Sequence, residues 1–334
     1  MIPFASWSVL TVDFLIVLHL ALAGVSLAAL LHLVNAKWRF EVRFLSVAFF
    51  SLYPLAFVLL LVLLFGGHMT FPWTNIHEDL PKWNNLGFLA TREILGFLLV
   101  GVVYGLFIKL QAKSARSPDD MANFRNVAIF VPFVHVLFCT MVAWDFEMTL
   151  KPFWESPIYA MYHFVSMFGM FLAIFVVVVA TLRRSHALAK PMGDHIPNYF
   201  AQMLLAFTIL WVYFFFSQYL VIWYGNLAEE TDRFFQMQNG PYSVLFWSFF
   251  VLKFVIPFPV LVFPACRHNV KVIVAMAASI ILGTWIERYT WIAGTYPSEH
   301  MPMTSLFDIV VTTIVFGVGF VSVRLAMRRC NLIS

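Results

Sequence analysis

Nine apolar stretches run along the chain, at about 8–35, 43–66, 86–111, 124–148, 158–183, 197–224, 240–264, 270–292 and 304–328. Each stays apolar for about 20 residues or more, the length a helix needs to cross a bilayer. A membrane β-strand would instead alternate apolar and polar residues over about ten positions. The pattern therefore predicts an all-α polytopic membrane protein of about nine transmembrane helices. The segments 67–85 and 225–239, rich in Pro, Trp, Asn and acidic residues, read as the long loops. No low-complexity tract or soluble insertion interrupts the series, so residues 1–334 read as a single transmembrane domain.

The connecting segments alternate in charge. One set carries Lys37, Arg39, Arg43, Lys109, Lys113, Arg116, Arg125, Arg183, Arg184, Lys190, Arg267, Lys271, Arg324, Arg328 and Arg329. The other set has only Lys82, Lys151 and Arg233. Short loops rich in lysine and arginine stay on the cytoplasmic side. The expected placement is a bacterial inner membrane, with the N-terminus outside and the C-terminus in the cytoplasm. The opening MIPFASWSVLTVDF lacks the basic start of a signal peptide, so the first helix is expected to be retained.

Composition narrows the chemistry. Charged residues make up 11% of the chain, against about 25% in a soluble domain, so most of it faces lipid or its own core. The net charge of +4 is topogenic and predicts no nucleic-acid partner. Cys139, Cys266 and Cys330 are too scattered for an iron–sulfur cluster, which takes about four grouped thiolates. His19 and His32 share a helix, but no matching histidine pair stands on another, so no haem is expected. No metal site and no catalytic residue are read from the chain. Trp144, Trp154, Trp223 and Trp285 fit an interfacial belt.

Ionisable residues within membrane segments are costly and default to functional candidates. Here they are Asp13, His19, His32, Arg92, Glu93, His135, Asp145, Glu147, His163, Lys253, Glu287, Arg288 and Asp308. The helix ranges put Asp13, Arg92, Glu93, Asp145, Glu147, Glu287, Arg288 and Asp308 in the outer half. Some of these would simply snorkel to the interface. Lys253, near the middle of its helix, reaches neither surface and needs a partner, which the sequence does not identify. For proton conduction the candidates are Asp13, Lys253 and Asp308, with His19 as a weaker relay.

Several stretches resemble the NrfD or polysulfide-reductase-like family of integral membrane subunits, and especially the two such subunits of bacterial alternative complex III. They are WDFEMTLKPFWESPIYAMYHF at 144–164, SQYLVIWYGNLAEET at 217–231, and IPFPVLVFPACRHN followed by IERYTWI around Glu287 and Arg288. A fourth is the Pro302-containing start of the last helix, where Asp308 stands in place of the more usual Glu. Phe71–Pro72–Trp73 and Arg92 are weaker matches. The likeness runs from about residue 43 to 328.

The resemblance implies two four-helix bundles with a flanking helix. It further implies a respiratory or photosynthetic quinol-oxidising electron-transfer complex. Implied partners are an extracytoplasmic iron–sulfur protein, a second NrfD-like membrane subunit and cytochrome c subunits, with surrounding lipid. The chain would hold no redox centre of its own, and quinone or menaquinone is the possible cofactor. Candidate quinone-binding residues are His135, Asp145, His163, Glu287 and Arg288, and Trp154, Asn226, Glu229 and Glu230 are candidates for the partner interface. The Met–Thr–Leu–x–Pro run looks like the shorter paralogue, whereas the Glu–Arg–Tyr end looks like the quinol-binding one. Direct quinol binding and a structural or proton-conducting role therefore both stand. The competing classes are a secondary transporter with a midplane substrate site and an assembly anchor without a site.

Overall fold

The computed structural model describes residues 7–76, 79–114, 117–296 and 301–333, and of Pro118, Ala228 and Glu229 the backbone alone. Ten principal helices follow one another along the chain. They are α1 Trp7–Leu33, α2 Arg39–Phe65, α3 Leu86–Lys113, α4 Asp119–Met148, α5 Tyr159–Arg184, α6 Ile196–Gly225, α7 Ala228–Asn239, α8 Ser243–Val262, α9 Val270–Ala293 and α10 Leu306–Arg329. Among the described residues, the nine other than α7 are long and apolar enough to cross a membrane. The protein is an all-α, multi-pass membrane protein. Leu188 and Ile333 form an isolated antiparallel bridge, and no strand occurs among the described residues.

Helices α1–α4 pack as one four-helix bundle, and α5, α6, α8 and α9 as a second. α10 flanks them, lying against α1 and the first half of α2. α1 is the wall between the two, touching α2, α4, α5, α9 and α10. Its sequence is apolar around the whole circumference, as suits a helix enclosed by protein, and from Ser8 to Ala29 almost every residue is buried. Gly24 allows the tight crossing with α2, since a Cβ there would sit 2.2 Å from the Ser46 carbonyl oxygen. The polar residues of α1 consequently face protein, not lipid.

The expected helix ends agree with the observed ones to within a few residues, with the largest difference at α4. There the apolar pattern starts at 124, but Ser117 accepts a hydrogen bond from the Asp120 amide and Pro118 opens the first turn. This capping draws a polar segment into the helix. The other difference is α7, which falls in a segment expected to be loop. It buries Phe234 and Met237, three apart on one face, while Asp232 and Phe235 stay exposed.

Two helices depart from α geometry where they carry charge. Trp144–Met148 at the end of α4 and Val251–Val255 within α8 are π-helical turns. A π turn inserts one residue and rotates the side chains beyond it about the axis, and such turns recur at functional sites. The first holds Asp145 and Glu147, and the second holds Lys253. In α8 the turn runs directly into Pro257, which lacks the amide an unbroken helix would use.

Candidate functional site

On α5, Tyr159, Tyr162, His163 and Ser166 lie three, four and seven positions along, so one face of an otherwise apolar helix is polar. α9 faces it and brings Glu287 and Arg288, both completely buried. A buried carboxylate needs donors to replace the water it has lost. Glu287 has them on both oxygens. Oε1 accepts from the Tyr162 hydroxyl and from Trp211 Nε1 of α6 at 2.7 Å. Oε2 accepts from Ser166 Oγ at 2.5 Å and from the Lys253 ammonium. The partner of the mid-membrane lysine is thus Glu287. Lys253 Nζ also donates to Ser166 Oγ at 2.6 Å and lies 4.5 Å above the Trp211 ring.

Arg288 joins Glu287 to a second carboxylate. Its Nη2 lies 3.0 Å from Glu287 Oε1, and its Nη1 donates to Glu147 Oε2 at 2.6 Å. The same Glu147 oxygen accepts from Tyr159 at 2.7 Å and stands 2.7 Å from His163 Nδ1. Across the ring, His163 Nε2 meets His19 Nε2 at 3.0 Å, and His19 Nδ1 lies 2.7 Å from the Leu15 carbonyl. A contiguous series of hydrogen bonds and ion pairs between titratable groups therefore runs from α1 in the centre, through α5, α4 and α9, to α8. Two carboxylates face one arginine and one lysine, with a histidine pair at one end. Beside Lys253 and Ser166, a cavity of ≈ 10 Å³ lined also by Thr208 and Trp211 has room for about one water.

The network is closed on the side of the long loops by Arg233. Its guanidinium donates to the carbonyls of Met148, Glu147 and Trp291 at 3.2, 3.0 and 2.9 Å. It also lies 4.5 and 4.9 Å from the Trp154 and Trp291 ring centres. Burial pulls its pKa down to about 10, while Tyr159 and Glu147 pull it up, so it stays cationic at neutral pH. Trp154 is wholly buried in this stack and donates to the Glu230 carbonyl at 3.1 Å. It pins α7 from below rather than presenting a surface to a partner or an interfacial belt. Asn226 takes the left-handed conformation that ends α6, at φ 49°, and is exposed. The Glu229 side chain lies outside the described residues, and Glu230 is half-buried.

The remaining candidates fall into three other places. Asp145 and Glu147, two positions apart, point to opposite sides of α4, as helical geometry requires. Asp145 takes a bidentate pair from Arg92 of α3 at 2.7 and 2.5 Å and a third bond from Trp83 Nε1 at 2.7 Å. Glu93 is completely buried beside them, and among the described residues no donor reaches either of its carboxylate oxygens. His135 of α4 bonds Ser26 Oγ at 2.5 Å, and Ser26 in turn bonds the Tyr104 hydroxyl at 2.9 Å, nearer the basic face. Asp13 accepts from Thr312 Oγ1 at 2.9 Å, and Asp308 lies one turn from Thr312 on α10. Of the five quinone candidates, His163, Glu287 and Arg288 meet, whereas Asp145 and His135 do not join them. Of the four proton candidates, His19 and Lys253 share the central network, and Asp13 and Asp308 form a separate site.

Tyr159, Tyr162, Ser166, Trp211 and Arg233 escaped the sequence reading. The spacing of the α5 residues was the available signal. Trp211 and Arg233 carry none, because an isolated Trp in an apolar helix or an Arg in a loop is ordinary. Compared with known protein families and curated proteins, the chain matches no family model and no curated protein.

Proposed function

We propose that this chain is an NrfD-like membrane subunit of a quinol-oxidising electron-transfer complex, and that its own contribution is a proton path. In this reading it lies in a bacterial inner membrane with the N-terminus outside and the C-terminus cytoplasmic. The network then lies in the outer half, capped by Arg233, on the side where an iron–sulfur partner would dock and where quinol would be oxidised. The observation that carries the proton role is two hydrogen-bonded groups, His19–His163–Glu147 and Glu287–Ser166–Lys253, joined by the ion pairs of Arg288 to both carboxylates. In the His19–His163 pair, Nδ1 of His19 faces the Leu15 carbonyl, Nδ1 of His163 lies between the Glu147 carboxylate and Arg288 Nη1, 3.0 Å away, and the two Nε2 atoms face each other. Quinol binding directly at His163 finds less support, since both ring nitrogens are already engaged by protein.

The test is proton translocation by the intact complex in sealed vesicles during quinol turnover. His163→Gln is expected to lower protons moved per electron while the complex still assembles. An unchanged ratio in His163→Gln and in Glu147→Gln would refute the proton path. A second reading, a secondary transporter, draws on the interruption of α8 beside a mid-helix cavity, because transporters place substrate at broken helices. It requires the purified chain, without partners, to take up a solute into liposomes.

A further inference from the structure

On the basic face, α1 carries His32 in its last turn and α2 begins at Arg39, and the start of α4 packs beside α1. The His32 ring lies 4.5 Å from Phe124, and the positive fields of Arg39, Arg43 and Arg125 all reach it. Among the described residues no carboxylate forms a salt bridge with any of these three arginines. Glu41, the acid between the first two, is turned the other way. Its Oε2 accepts the Gly193 amide at 2.6 Å, and its Oε1 lies 3.5 Å from His195 Nε2. Elsewhere on this face Arg183 does have an acid, Asp194, at 2.5 Å. Like charges brought together without a counter-ion are unfavourable, so something outside the chain is expected to balance them.

The aromatic surroundings say what kind of group that is. Arg39 and Arg43 both lie against the Phe40 ring, at 4.4 and 4.8 Å from its centre, and Arg43 is 4.7 Å from Phe44. Phe40 is 55% exposed and Phe44 40% exposed, at the end of a membrane-crossing helix. One Arg39 nitrogen caps the Ala36 carbonyl at 2.9 Å. The remaining terminal nitrogens of Arg39 and Arg43 have no protein acceptor among the described residues. A ligand for this place needs a phosphate at the interface and an apolar body below it. Basic pockets between helix ends bind lipid headgroups of this kind. We propose that Arg39 and Arg43 form a binding site for the headgroup of an anionic phospholipid, with Phe40 and Phe44 against its glycerol and acyl region. Guanidinium groups suit phosphate through paired N–H donors. The site requires only that the protein spans a membrane and does not depend on the redox reading.

Native mass spectrometry of the full-length protein, with phosphatidylglycerol, cardiolipin or phosphatidylcholine added, tests the site. Wild-type protein is expected to retain the two anionic lipids and shed phosphatidylcholine. In the Arg39→Gln/Arg43→Gln variant, retention should fall by about fivefold for each arginine removed, whereas Arg328→Gln/Arg329→Gln should leave it unchanged. Equal retention of all three lipids by wild type, or equal loss in both variants, would overturn the proposal. So would displacement of the lipid by millimolar inorganic phosphate, which would make the site one for small anions. Should the first variant fail to fold, thermal stability of delipidated wild type on adding back each lipid gives the same discrimination. A rise with anionic lipid alone supports the site, and an equal rise with phosphatidylcholine refutes it.

Discussion

Replacing Glu287 with glutamine removes one charge and almost no volume, so it isolates the electrostatics of the central network. Glu287 receives donors from Tyr162, Trp211, Ser166 and Lys253 and pairs with Arg288. With the amide in place, one side-chain carbonyl remains to accept, and the NH2 turns a donor toward groups that are themselves donors. Glu147 is left alone to balance Arg288 and Lys253. Breaking a buried pair by removing one partner costs about 3–5 kcal/mol, and that is the expected loss of stability for Glu287→Gln. Removing Lys253 as well restores one carboxylate against one arginine. The Lys253→Met/Glu287→Gln variant should therefore recover about 1–3 kcal/mol relative to the sum of the single changes. Unfolding by titrated SDS in mixed micelles, followed by tryptophan fluorescence, measures all four corners of the cycle. Additive single effects would refute the coupling. The same double variant separates locking from function: a stable, assembled protein that still moves protons normally would make this pair a structural lock.

Three further outcomes are expected. Gly283→Ala places a Cβ 2.6 Å from Lys253 Cγ and 3.0 Å from Leu252 Cβ, so it should push α8 from α9 and cost about 1–3 kcal/mol; an unshifted SDS midpoint would contradict that contact. Arg92→Lys keeps the charge but loses the bidentate bond to Asp145 and the guanidinium stack on Trp83, 4.0 Å away. It should destabilise by more than 1 kcal/mol in the same titration, since lysine cannot reproduce either contact, and full rescue by lysine would reduce the site to charge pairing. Arg233→Met removes three bonds to carbonyls and two aromatic faces. Bonds to a charged group are worth about 1.5–3 kcal/mol each, so α7 should become the first segment cleaved in limited proteolysis; an unchanged cleavage pattern would show that Phe234 and Met237 hold it unaided.

The sequence by itself determined the nine spans, their approximate ends and the alternation of basic loops, because a bilayer enforces length and apolarity on every helix regardless of its neighbours. It also singled out the costly residues, since an ion in an apolar run stands out without any coordinates. What it could not show was which of them meet. A uniformly apolar helix has no stripe from which to read its rotation, so Asp145 and Glu147 looked alike although they face different bundles. The two π turns add a local rotation that no residue pattern announces, and one of them aims Lys253 at Glu287. α7 escaped because its anchor, Arg233, is bound by backbone carbonyls and ring faces, whose positions exist only once α4, α9 and the Trp154 loop have packed. Helix rotation and contact between distant segments were decided by tertiary packing, because only there does each buried charge find the donors that make its burial tolerable.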